Sequence, residues 1–127
     1  MKKIMVVDDE PDITYLLKEI LNGEGFDVVV ANSGLEALKK IKKEKPDLVL
    51  LDVMMPELDG WETCRRIKED KETKDTLVSM LTVKSSDEDK VRSIDYALAD
   101  WHIKKNTDRE KLVKTVNWLL TNPIKRA

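Results

Sequence analysis

Several acidic, hydroxyl and basic residues stand directly after short apolar runs, where parallel-sheet proteins carry their chemistry. In chain order they are Asp8 and Asp9 after Ile4–Val7, Asp52 after Leu48–Leu51, Thr82 after Leu77–Leu81, and Lys104 and Lys105 after Trp101–Ile103. If these runs are neighbouring strands, the side chains meet in one crevice, where three carboxylates repel one another unless a cation or protons compensate. Oxygen ligands with room for water favour Mg²⁺ over a Ca²⁺ cage, so the sequence predicts a magnesium site.

Each of these groups also has an ordinary structural interpretation when it is taken alone. A pair of aspartates after a strand often caps a helix. Asp52 can simply end a strand, Thr82 is a common strand former, and a lysine at a strand end is commonly a solvated charge. Their joint occurrence on successive strand ends is much more specific, and we therefore interpret them together.

The elements that must position these groups alternate between buried runs and amphipathic stripes. Val28–Ala31 joins the four apolar runs already named, which makes five in all. The helical stripes are Ile13–Leu21, Leu35–Ile41, Trp61–Ile67, Val91–Leu98 and Leu112–Leu120. Continuous apolar runs are typical of strands buried on both faces. The alternation predicts an α/β fold: a doubly wound, five-stranded parallel sheet with helices on both faces and right-handed crossovers.

Local signals mark where the helices begin and end. Gly23 and Gly25 are expected to close the first helix. Ser33 with Glu36 and Thr107 with Glu110 have the spacing of capping boxes, which predicts a helix start at each pair.

Length and composition restrict the classes of function. The 127 residues fit one domain, and the net charge of −2 gives no electrostatic footprint for direct contact with nucleic acid. Cys64 is the single cysteine, which excludes an internal disulfide and a multi-thiolate metal site. No apolar stretch approaches the ~20 residues that cross a bilayer, so we expect no membrane contact and a cytoplasmic location.

Taken together, these motifs resemble the response-regulator receiver family of two-component signalling, across nearly the whole chain. The matching stretches are Val6–Glu10, Asp47–Gly60, Leu81–Lys84 and Ile103–Lys105. The resemblance implies a receiver domain over 1–121, a short tail over 122–127, and the flavodoxin-like strand order 2-1-3-4-5.

The resemblance also implies a reaction. Asp52 would accept a phosphoryl group from a sensor histidine kinase or a phosphotransfer protein, so the chain would catalyse its own phosphorylation and dephosphorylation without being a turnover enzyme. Asp9, Asp52 and the carbonyl of Met54 would bind Mg²⁺ directly, with Asp8 acting through water. Such an ion neutralises charge on the transferring group.

Thr82 and one lysine would contact phosphoryl oxygens. Aligning Ile103 with the apolar residue of the family pattern makes Lys105 that lysine and places Lys104 at a small polar position. Strand alternation also places Lys105 on the side of Ile103 and Trp101. A downstream protein target would bind the fourth helix, fifth strand and fifth helix of a monomer or weak dimer.

Four positions depart from the family pattern, one of which is Thr107, where the family has an aromatic residue. Asn106 replaces a proline, and because a cis bond before another residue costs ~2.5–4 kcal/mol, a trans peptide is expected and the reach of Lys105 is left open. His102 replaces the switch aromatic and is either a switching ring or a surface histidine. Val83 is bulkier than usual and is expected to narrow access to Asp52, while Met54 and Lys84 are positioned to tune phosphoryl lifetime.

Competing functions fit the residues less well. A flavodoxin-like nucleotide carrier needs a phosphate loop after the first strand, where Asp8 and Asp9 would repel the phosphate. An aspartyl-phosphate hydrolase needs a general acid two residues after Asp52, and Met54 has no proton to give. The remaining alternative is a receiver-like binding module that acts without phosphorylation.

Overall fold

The computed structural model describes residues 2–82, 98–105 and 107–121. Its elements, in chain order, are β1 Lys3–Val7, α1 Pro11–Gly23, β2 Asp27–Ala31, α2 Gly34–Glu44, β3 Leu48–Asp52, α3 Gly60–Glu69, β4 Leu77–Thr82, β5 Trp101–Lys104 and α4 Arg109–Thr121. Most of the helix predicted over Val91–Leu98, and the tail predicted over 122–127, lie outside the described residues. The predicted fifth helix is therefore α4.

The five strands form one parallel sheet in the order β2-β1-β3-β4-β5, which confirms the predicted fold class and strand order. The register is continuous across the sheet, with Val7 opposite Leu51 and Asp52 opposite Leu81. Because all strands run in the same direction, every strand end that carries a predicted site residue lies at one edge.

Two layers of helices cover the two faces of the sheet. Met5 and Val7 of β1 pack in the core cluster that includes Ala37 of α2 and Ile67 of α3. Ile4 and Val6 point to the opposite face, into the cluster formed with helices α1 and α4, represented by Leu21 and Val116. Burial on both faces explains why the strands read as unbroken apolar runs. Each such side chain contributes roughly 1.5–3 kcal/mol, so the central strands are a rigid base for the site.

The predicted helix starts are correct for α2 and wrong for α4. The Glu36 amide donates to Ser33 Oγ at 3.0 Å, which confirms Ser33 as the N-cap, while the Glu36 carboxylate accepts the amide of Asn32 at 2.7 Å. The last helix begins one residue later than the predicted box requires, because Asp108 caps it and accepts the amide of Lys111 at 2.8 Å. A carboxylate is a strong N-cap, and the pair of Thr107 with Glu110 is not used for this purpose.

The residue after α2 offers a test of the backbone geometry. Lys45 lies in the left-handed region (φ 48°, ψ 59°), and its amide donates to Ile41. Glycine has no Cβ penalty there, so Lys45→Gly should raise the free energy of unfolding by about 0.5–1 kcal/mol. Lys43→Gly, on an exposed helical position of α2, is the control and should lower it by about 1 kcal/mol. Urea unfolding measures both changes, and a loss of stability in both variants would contradict the assigned geometry.

Candidate functional site

Three of the predicted site residues are buried together at the carboxyl edge of the sheet. Asp8 follows β1 and is 0% exposed, while Asp52 ends β3 and Thr82 ends β4, at 2% and 5% exposure. The strand register brings them together, because β3 lies between β1 and β4. The edge therefore carries two carboxylates that are almost completely removed from water.

The Lys105 side chain lies between these carboxylates. Its Nζ is 2.8 Å from Asp8 Oδ2, 3.3 Å from Asp52 Oδ1 and 3.4 Å from Glu10 Oε1. Its main-chain amide donates to the carbonyl of Thr82 at 2.7 Å, which continues the pairing of β4 with β5 beyond the strand. Lys104 is exposed, so of the two adjacent lysines the structure brings Lys105 to the acidic crevice. Residue 106 lies outside the described residues, and a trans Lys105–Asn106 peptide stays a prediction.

The oxygen atoms at this edge suit a hard cation. Carboxylate oxygens of Asp8, Asp9 and Glu10 lie within 4.8 Å of one another. Asp52 Oδ2 is buried and accepts no hydrogen bond from any residue that the structure describes. An orphaned carboxylate oxygen beside a group of acids fits Mg²⁺, whose preferred ligands are oxygens. Sequence reasoning did not assign Glu10 to this group, although its place as the third consecutive acid was a usable signal.

Burial and charge change the acidity of the central groups. Burial, together with the neighbouring Asp8 carboxylate, raises the pKa of Asp52 to about 6, against the opposing effects of the Lys105 ammonium and the Met54 amide. Burial alone would lower the pKa of Lys105, but contacts with the Asp8 and Asp52 carboxylates raise it above its ordinary value overall. The crevice therefore keeps a lysine cation while it disfavours the charge on Asp52.

The start of α3 packs against the backbone of Asp52. The Gly60 amide donates to the carbonyl of Val53 at 2.8 Å, and a Cβ on Gly60 would overlap the main-chain oxygen of Asp52. The start of α3 can lie on the Asp52 backbone only because this residue is glycine. Met54 is 72% exposed and its amide interacts with the Asp52 carboxylate, while the role of its carbonyl as a metal ligand stays a prediction.

The remaining residues singled out in the sequence lie around β5. His102 is half-buried, and Trp101 contacts Trp118 of α4 with ring centroids 5.1 Å apart, both rings being partly exposed. Val83 and Lys84 lie outside the described residues. Among the described residues, no helix has the length and apolar character needed to span a membrane.

Comparison with known proteins points in the same direction as the geometry. The family model of the response regulator receiver domain matches residues 4–117. The chain is 46% identical over 109 residues to the alkaline phosphatase synthesis transcriptional regulatory protein PhoP of Bacillus subtilis, covering 86% of this chain and 45% of PhoP. It is 36% identical to the protein PilH of Pseudomonas aeruginosa, covering 94% of this chain and 98% of PilH.

A solved structure shares the fold. The chemotaxis protein CheY4 of Vibrio cholerae matches with a TM-score of 0.86 and 32% identity, covering 92% of this chain and 97% of CheY4. The chain spans about half the length of the transcriptional regulators among its first curated relatives. Activities that those longer proteins owe to their other half do not follow from this similarity.

The raised pKa of Asp52 predicts a pH-dependent cost of folding. The pKa of Asp52 rises from near 4 in the unfolded chain to about 6 in the folded one, so the folded state binds the proton more tightly. The protonated acid therefore favours folding at low pH, and this contribution to the free energy of unfolding is lost as pH rises through about 6. Without Mg²⁺, Asp52→Asn should therefore exceed the wild type in free energy of unfolding by roughly 1–3 kcal/mol above pH 7, with the difference vanishing near pH 4.

Urea unfolding in a chelator across this pH range measures the difference. Asp75→Asn, which alters an exposed acid, is the control and should stay within about 0.5 kcal/mol of the wild type at every pH. Saturating Mg²⁺ should stabilise the wild type more than Asp52→Asn, by mass action on the folded state. A difference that is constant with pH would show that Asp52 carries no such shift.

Proposed function

Because this chain belongs to the response-regulator receiver family, we propose that Asp52 accepts a phosphoryl group from a partner histidine kinase or phosphotransfer protein in an Mg²⁺-dependent reaction. One observation carries the proposal. The Asp52 carboxylate is buried beside Asp8 and Lys105, with one oxygen that has no hydrogen-bond partner among the described residues. Burying a carboxylate with an unbonded oxygen lowers the stability of the fold, and the same unbonded oxygen is available as a nucleophile.

The transfer follows from the groups around Asp52. A carboxylate oxygen attacks phosphorus, the bond from phosphorus to the donor's histidine nitrogen breaks, and that nitrogen leaves with the electron pair. The Lys105 ammonium, already 3.3 Å from Asp52, pairs with negative charge on the phosphoryl group. Thr82, at the end of the adjacent strand, supplies a hydroxyl donor. Hydrolysis of the aspartyl phosphate by water, at the same groups, then ends the signal.

The proposed magnesium ligands are Asp9, Asp52 and the carbonyl of Met54, with Asp8 acting through water. When bound, the ion supplies charge neutralisation for the transferring group. The proximity of the Asp8, Asp9 and Glu10 oxygens and the orphaned oxygen of Asp52 support this ligand set. Asp8 also contacts Lys105 at 2.8 Å, so it links the metal ligands to the lysine.

We further propose that output depends on contact between surfaces. The receiver family works with histidine kinases or phosphotransfer proteins. For the downstream protein target, we propose the face formed by the predicted fourth helix, β5 and α4. His102 and the Trp101–Trp118 pair lie on this side of the molecule, which supports the assignment. Direct contact with nucleic acid is not proposed, since the chain has a net charge of −2.

Intact-mass analysis after incubation with acetyl phosphate tests the proposal. We expect one adduct of ~80 Da on the wild type with Mg²⁺, because transfer needs the neutralising ion, and none in a chelator or on Asp52→Asn. The control Asp75→Asn should gain the same adduct as the wild type.

A second measurement covers an acyl phosphate too short-lived to be seen. Beryllofluoride mimics that group, and we expect it to change the tryptophan fluorescence of the wild type and not of Asp52→Asn. An adduct that persists in Asp52→Asn would assign another acceptor. Absence of both the adduct and the fluorescence change would favour the alternative, a receiver-like binding module that acts without phosphorylation.

A further inference from the structure

A buried ion pair lies at the opposite edge of the sheet from the acidic crevice. Lys68 Nζ, in the last turn of α3, is 2.6 Å from Asp100 Oδ2, and both side chains are 3% exposed. Asp100 immediately precedes β5, the strand that leads to Lys105. None of the chemistry proposed above uses this pair.

Hydrogen bonds fix Asp100 against the start of β4. Its carboxylate accepts the amide of Val78 at 2.8 Å, and its own amide donates to the carbonyl of Val78 at 2.9 Å. Lys68 Nζ also donates to the carbonyl of Thr76 at 2.5 Å. A buried ion pair adds little net stability compared with apolar residues of similar volume, but separating its two members is strongly unfavourable because each is left as an uncompensated buried charge.

The strand that this pair holds has few other determinants of register. β5 has four residues, pairs with β4 alone among the described strands, and has one buried side chain, that of Ile103. Strand register is specified strongly where one face is buried, and in β5 a single buried side chain provides that specification. In the family pattern a proline follows the lysine, whereas residue 106 of this chain is asparagine.

Register matters here because two lysines are adjacent. In the observed register Thr82 lies opposite Lys104, and the next residue, Lys105, reaches Asp8 and Asp52. A slip of one residue would turn every β5 side chain to the other face and would carry Lys105 away from the carboxylates.

We propose that the Lys68–Asp100 ion pair is a positioning device that sets the register of β5 and so selects Lys105, rather than Lys104, for the site. The expected effect on the phosphorylation rate rests on the proposed function. The expected effect on the position of Lys105 rests only on the β4–β5 pairing. α3 connects the two edges, since it begins against the Asp52 backbone at Gly60 and carries Lys68 in its last turn. The pair thus links the acceptor and the lysine through one helix and one strand.

The double variant Lys68→Met with Asp100→Asn tests the proposal, because it removes both charges together. The asparagine still accepts the amide of Val78, so we expect the variant to fold. We expect phosphorylation by acetyl phosphate to slow roughly 10- to 100-fold, because a small displacement of a reacting group has an effect of that size. If the pair acts through Lys105, the same change in a Lys105→Met background should slow the reaction by less than about twofold. Equal slowing in both backgrounds, or no slowing at all, would overturn the proposal.

Hydrogen exchange gives a readout that does not depend on phosphorylation. The Lys105 amide, bonded to Thr82, should exchange about tenfold faster in the double variant, while amides of the central strands β1 and β3 change only with global stability. Lys42→Met is the matched control, because it removes an exposed lysine–aspartate pair, Lys42 with Asp70, at the same edge of the sheet. It should change neither the phosphorylation rate nor the exchange of the Lys105 amide. Unchanged Lys105 exchange in the double variant would refute the positioning role. If the wild type accepts no phosphoryl group, the proposed function fails and exchange still decides this inference.

Discussion

The burial of two carboxylates at one edge of the sheet is the constraint on which the rest of the structure depends. Asp8 and Asp52 are almost completely removed from water, and their mutual repulsion adds to the cost of desolvation. Lys105 offsets part of that cost by lying within 3.3 Å of both. One ammonium does not balance the carboxylates of Asp8, Asp52 and Glu10 that it contacts, and the remaining negative charge favours the binding of a cation in the crevice.

Such a crevice requires a rigid base, because charges held a few ångströms apart relax away from one another unless packing prevents it. The unbroken apolar strands provide that base, since both faces of β1 and β3 are buried. The close contact of Gly60 with the Asp52 backbone fixes the acceptor from the helix side. Lys105 depends instead on an edge strand, so its position rests on hydrogen bonds and on the register of β5 rather than on core packing.

Membership of the receiver family sets the general chemistry, and the departures from the family pattern define what is particular to this chain. The structure brings Lys105 to the acids, while its neighbour Asn106 lies outside the described residues. His102 is half-buried on β5, beside the exposed Trp101. These features all lie on β5 or directly after it, and β5 is the strand that leads to Lys105.

The sequence by itself determined the fold class, the strands and the identity of the acidic residues, because apolar periodicity and residue type are local properties. It placed the cap of α4 wrongly, at Thr107 instead of Asp108, since two good capping residues stand side by side and tertiary packing selects the helix start. It also did not place Glu10 in the acidic group or foresee the Lys68–Asp100 pair, whose members are 32 residues apart. The family pattern and strand alternation had favoured Lys105 over Lys104, but only the tertiary structure showed that its Nζ lies 2.8 Å from Asp8 and 3.3 Å from Asp52, because strand register is set by contacts between distant segments.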